Sequence, residues 1–98
     1  MTDTAIESWL ARVHGRVQGV GFREACVDEA EALGLTGWVR NRADGTVEAL
    51  LQGRPERIAR MRAWLGHGPP MAAVREVSLR PAPADTGRFD RFERRRSE

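Results

Sequence analysis

The 98-residue chain is 41% hydrophobic, which suits one compact domain over residues 1–98 with a single small core, and its ends, residues 1–7 and 94–98, are expected to be flexible. All 16 basic residues are arginine and the formal net charge is only +2, so the pI of about 9.9 reflects the guanidinium pKa rather than the strong positive field of a nucleic-acid binder. The lone Cys26 excludes an intramolecular disulfide, and no stretch resembles a signal peptide or a membrane span, which makes a cytoplasmic location the expectation.

Trp9, Ala11 and Val13 alternate with Leu10, Arg12 and His14, which predicts a first strand over Ser8–His14 with one face on the core. The glycine-studded stretch GRVQGVGFR follows, from Gly15 to Arg23. Beyond it, Phe22, Ala25, Cys26, Ala30 and Leu33 fall at helical spacing, and Gly34 stops that helix with Leu35 as its hydrophobic companion. Strands are expected over Thr36–Arg42 and Thr46–Gln52, joined by the turn Ala43-Asp44-Gly45. A second helix opens with Pro55 in its first turn, buries Ile58, Met61 and Leu65, and ends at Gly66 before Pro69 and Pro70. A fourth strand over Val74–Arg80 is separated by Pro81-Ala82-Pro83 from a short segment over Arg88–Glu93. Two strand–helix–strand units of this size imply an α+β two-layer sandwich, βαββαβ with a short C-terminal strand. Both helices would lie on one face of a mainly antiparallel sheet, the ferredoxin-like pattern.

The stretch from Gly15 to Arg23 has the composition of an anion cradle. Its glycines permit positive φ and close backbone approach, the following helix contributes the positive end of its dipole, and Arg23 supplies a planar, permanently charged fork. Nucleotide loops fit poorly: Val20 stands where a Walker A loop needs its second glycine, there is no lysine, and Glu24 replaces the third glycine of a dinucleotide fingerprint. A phosphate site without a nucleotide signature is what remains.

GRVQGVGFR together with GWVRN, from Gly37 to Asn41, resembles the paired signature of the acylphosphatases. DGTVEALLQG at 44–53, AWL at 63–65 and GPP at 68–70 extend the resemblance over residues 9–93. It implies the ferredoxin-like fold, hydrolysis of a small-molecule acyl phosphate to carboxylate and inorganic phosphate, and no cofactor. By motif match it makes Arg23 the phosphoryl-binding residue and Asn41 the residue that positions the attacking water. The loop Gly15, Arg16, Val17, Gln18, Gly19 and Val20 would bind the phosphate. This chemistry needs positioning and charge more than a metal or a covalent nucleophile, because a carboxylate leaves readily.

Each of these residues also has a plainer reading. Arg23 taken alone is a helix-surface arginine that could pair with Asp28 or Glu24, and Glu24 could in turn weaken anion binding by engaging the guanidinium. Asn41 alone is a turn former, and Gln18 more naturally stabilises its loop than touches a ligand. His14 and His67 are too isolated for a metal site, Cys26 belongs to the core, and Trp9, Trp38 and Trp64 are packing residues. Arg91 and Arg94 to Arg96 read as a solvated cluster, deletion of Arg95 to Glu98 should leave hydrolysis nearly unchanged, and Arg94 stands where the resemblance implies an aliphatic residue is common. The alternative function is a non-catalytic ferredoxin-like anion- or RNA-binding module. The dispersed aromatics argue against nucleic acid, and a monomer without membrane attachment is expected.

Overall fold

The computed structural model describes residues 5–98. Its elements run β1 (Glu7–Arg16), α1 (Phe22–Ala32), β2 (Thr36–Asn41), β3 (Val47–Gly53), α2 (Pro55–Leu65), β4 (Ala73–Pro81) and β5 (Phe92–Arg94). They form one sheet in the order β4-β1-β3-β2-β5. The β1/β3, β1/β4 and β2/β3 pairings are antiparallel, and β5 alone runs parallel to its neighbour β2. This is the ferredoxin-like βαββαβ arrangement with one added edge strand. No helix among the described residues is long and apolar enough to cross a membrane.

The core follows from the two periodicities of the chain. Ala11 and Val13 of β1, Val39 of β2, and Val47, Ala49 and Leu51 of β3 point to the helix side of the sheet. Phe22, Cys26 and Ala30 of α1 and Ile58, Met61 and Leu65 of α2 descend onto them. The buried stripe of α1 is narrower than the sequence suggested, because Ala25 and Leu33 lie at its margin and are only partly covered. Phe22 packs tilted against Trp64, with ring centroids 5.5 Å apart, so the residue that opens α1 also anchors it to α2. Burial pushes the Cys26 thiol pKa up, aided by the charge of Glu29, and leaves the thiol inert.

Several strand boundaries differ from the sequence-based expectation, β4 among them, which runs one residue further at each end. β1 continues through Gly15 and Arg16, which pair with Val74 and Ala73 across an irregularity at His14/Gly15. At the hairpin, β2 ends one residue earlier than expected and β3 is shifted by one, starting at Val47 and ending at Gly53, since Asp44 Oδ1 accepts hydrogen bonds from both the backbone N–H and the hydroxyl of Thr46 and draws it into the turn. The final strand begins at Phe92 rather than Arg88. Residues 87–89 are instead held by the buried side chain of Gln52, which donates to the Gly87 carbonyl at 2.7 Å and accepts the Phe89 N–H at 2.8 Å. Residues 1–4, part of the N-terminal end expected to be flexible, lie outside the described residues, while Glu7 already pairs with Gly53.

Candidate active site

The stretch between β1 and α1 is a tight bend tied down at both ends. Val17 is buried in the core, whereas Arg16 and Gly19 are exposed. Gly19 and Gly21 have φ of 73° and 77°, and a side chain at either would project into open space. Their positive φ serves the turn of the backbone and makes no room for a packed neighbour. Gly21 is the N-cap of α1 and provides no side-chain cap, so no side-chain oxygen of the N-cap takes up the first-turn N–H groups of the helix. Gly15 does something different. A Cβ there would overlap the Ala73 carbonyl oxygen and come within 2.7 Å of the Arg75 nitrogen, so this glycine serves the close approach of β1 to β4.

Gln18 links the bend to the hairpin that carries Asn41. Its side-chain amide donates to the carbonyl of Arg42 at 2.8 Å and to that of Thr46 at 2.9 Å, spanning the mouth of the β2–β3 turn. The last residue of β2, half-buried Asn41, is thereby held at the same end of the sheet as the glycine bend. Arg23, half-buried in the first turn of α1, donates from Nη1 to the carbonyl of Arg95 at 3.1 Å. Glu24 does not engage Arg23. Successive helix residues point about 100° apart, and Glu24 instead pairs with Arg94 of β5. Arg94 thus supplies a partner for the acidic neighbour of Arg23.

The chain beyond β5 returns to this end of the sheet. Arg95 N–H donates to the Val39 carbonyl at 2.8 Å and Glu98 N–H to the Asn41 carbonyl at 3.0 Å, extending the parallel run beside β2. The arginine-rich tail, expected from its composition to lie apart from the site, has its backbone against both Arg23 and Asn41. Nothing in the residue types announces these contacts, since they are made by main-chain groups that every residue possesses.

On the face of the sheet away from the helices, Glu48 sits among three arginines, with Arg40 at 2.9 Å, Arg42 at 3.2 Å and Arg12 at 3.5 Å. Burial alone would raise its pKa. The hydrogen bond from Arg40 and the charges of Arg40, Arg42 and Arg12 outweigh that and hold the carboxyl below its ordinary range. Glu98 joins the network from the tail by pairing with Arg42 and Arg40. The strand end bearing Asn41 is therefore flanked by fixed charges on the opposite face.

Fold and site together describe a small α+β sandwich with a glycine bend, an uncapped helix start, one half-buried guanidinium and one carboxamide gathered at one end of the sheet. The Acylphosphatase family model matches residues 9–94. Acylphosphatase 1 of Ralstonia nicotianae is 56% identical over 89 residues, covering 91% of this chain and 87% of the relative. An acylphosphatase structure from Coxiella burnetii superposes with a TM-score of 0.88 at 37% identity, covering 97% of this chain and 100% of that one. Full-length HypF, in its phosphate- and nucleotide-bound form, matches 99% of this chain with 13% of its own, with a TM-score of 0.85; at 21% identity it shares the fold alone. The chain belongs to the acylphosphatase family.

Proposed function

We propose that this acylphosphatase-family enzyme hydrolyses the carboxyl–phosphate bond of acyl phosphates with Arg23 binding the phosphoryl group, the backbone of residues 15–20 cradling it, and Asn41 orienting the attacking water. The observation that carries this reading is the Gln18 link, which joins the glycine bend to the strand end bearing Asn41. In the reaction the water oxygen forms a bond to phosphorus as the bond from phosphorus to the acyl oxygen breaks. The electron pair leaves with the carboxylate, and the water's proton passes through the product phosphate to solvent. Charge on the phosphoryl oxygens is met by N–H donors and a guanidinium that are already in place. The Asn41 carboxamide can accept from the water and hold it in line, while lacking the basicity to deprotonate it.

A carboxylate leaving group has an ordinary pKa near 4, so its departure needs neither a general acid nor a metal. The proposal extends to a monomer acting in the cytoplasm without a cofactor, which light scattering and cell fractionation test. The decisive assay is phosphate release from benzoyl phosphate by the purified protein in the presence of a chelator, beside a simple phosphomonoester. Turnover of the first and near-absence of turnover of the second are expected. Strict metal dependence, or no rate above spontaneous hydrolysis, would overturn the assignment.

A further inference from the structure

We propose that Met71 selects the acyl half of the substrate by seating an apolar acyl group of aromatic size, an inference that rests on the phosphoryl and water sites given above. In phosphoryl transfer the attacking and leaving oxygens stand roughly in line on opposite sides of phosphorus. The sheet order β4-β1-β3-β2-β5 therefore gives the reaction a direction. The bend that follows β1 takes the phosphoryl group, and Asn41, at the end of β2, keeps the water on the β2 side. The leaving acyl oxygen then departs toward β4, the other neighbour of β1. Gly15 pairs with Val74 and Arg16 with Ala73, so β4 begins level with the start of the bend, and Met71 stands two residues before it.

Met71 is 66% exposed, and among the described residues the other exposed large hydrophobic side chain is Ile6. A lone exposed methionine carries no meaning by itself. This one stands where the in-line geometry sends the acyl group, on a loop that is held in place. Ala72 donates its N–H to the Pro69 carbonyl at 2.9 Å, and its side chain packs against the core. Gly68 lies so close to Phe22 that a Cβ there would come within 2.6 Å of the ring, which seats the loop on the residue that opens α1. Between those anchors Pro69 and Pro70 fix φ at two successive positions. Neighbouring strands lie about 4.8 Å apart, so from a phosphoryl group at the bend an aryl ring reaches across one strand spacing and a methyl group does not. A flexible, polarizable thioether is suited to the edge of such a ring.

Steady-state kinetics of the whole protein with benzoyl phosphate and acetyl phosphate test this, using Met71→Ser and Met71→Leu beside Ile6→Ser. In Met71→Ser the ratio of kcat/KM for benzoyl over acetyl phosphate is expected to fall about fivefold. Most of the change should be a higher KM for benzoyl phosphate, because a contact to the non-reacting part of the acyl group is made equally in the ground and transition states. Met71→Leu should keep most of the ratio, and Ile6→Ser, next to the opposite end of β1, should leave it at the parental value. A general weakening of the fold would lower both rates together and leave the ratio unmoved, and thermal melts of each variant detect it. A parental ratio in Met71→Ser overturns the proposal, as does an equal fall in Ile6→Ser. If the parent hydrolyses neither substrate above the spontaneous rate, the reading of the phosphoryl site falls and the role of Met71 falls with it. Parental turnover of both substrates with an unmoved ratio in Met71→Ser refutes the role of Met71 alone.

Discussion

The side-chain amide of Gln18 lies 2.8 Å from the carbonyl oxygen of Arg42, across 24 residues of sequence, and joins the glycine bend to the end of β2. With its second bond to Thr46, it converts two separate segments into one wall of the site. Gln18→Leu removes both donors while keeping the volume, and should cost about 1–2 kcal/mol of stability, with a KM several-fold higher as the bend loosens. Gln18→Glu should be worse on both counts, since it turns a carboxylate toward two carbonyl oxygens and adds negative charge beside an anion site. Thermal melts and Michaelis curves for the two variants check the order. A Glu variant as active as the parent would show that the link is unimportant.

Arg23 and Asn41 should separate by the step they serve. Arg23→Ala is expected to lose both phosphate affinity and turnover, whereas Asn41→Ala should keep phosphate affinity and lose turnover by roughly 100-fold or more. Calorimetric titration with inorganic phosphate, alongside initial rates, reads the two effects independently. Near-parental turnover in Asn41→Ala would refute the water-orienting role.

Two glycines in one motif should fail for different reasons. Gly15→Ala drives a Cβ into the β4 backbone at Ala73 and Arg75, which cannot yield without breaking the strand pairing, so a loss of about 3 kcal/mol or more is expected. Gly19→Ala meets open space and has only the cost of positive φ, about 1 kcal/mol. Denaturant unfolding should therefore show Gly15→Ala severely destabilised and Gly19→Ala mildly so. Equal losses would contradict the distinction between packing and cradle.

Stability in acid should depend on Glu48. Its folded pKa lies below the ordinary value of 4.5, so its contribution is complete above that pH and is lost as pH falls through the folded value. Glu48→Gln should lower stability at neutral pH by about 2 kcal/mol, leaving Arg12, Arg40 and Arg42 without their shared partner. The same variant should lose less stability than the parent between neutral pH and pH 3. Melting temperatures across that range decide it, and parallel curves for the two proteins would dissociate Glu48 from the acid transition.

The elements were legible where local pattern and burial agree. Phe22, Cys26 and Ala30 recur at helical spacing, Ala11 and Val13 alternate, and Asp44-Gly45 marks the hairpin turn, all within a few residues of one another. The last strand was misplaced because Arg88 and Phe89 have strand-like composition, yet a side chain from β3, Gln52, captures their backbone first. That competition is between segments far apart in the chain, and no local window contains it.

For the site, the residue types and their order in Gly15–Arg23 and Gly37–Asn41 already determine the chemistry available: a flexible bend, a permanent cation and an uncharged amide. What they leave open is which groups meet. Glu24 adjoins Arg23 in sequence but pairs with Arg94, while Arg23 finds the carbonyl of Arg95 and Asn41 the amide of Glu98. Sequence neighbours on a helix diverge, and parallel pairing of β5 beside β2 carries the chain's end back to the site. Main-chain groups carry no residue code, so only the tertiary structure could decide that a tail with the composition of a solvated arginine run would lie against the residues assigned to the reaction.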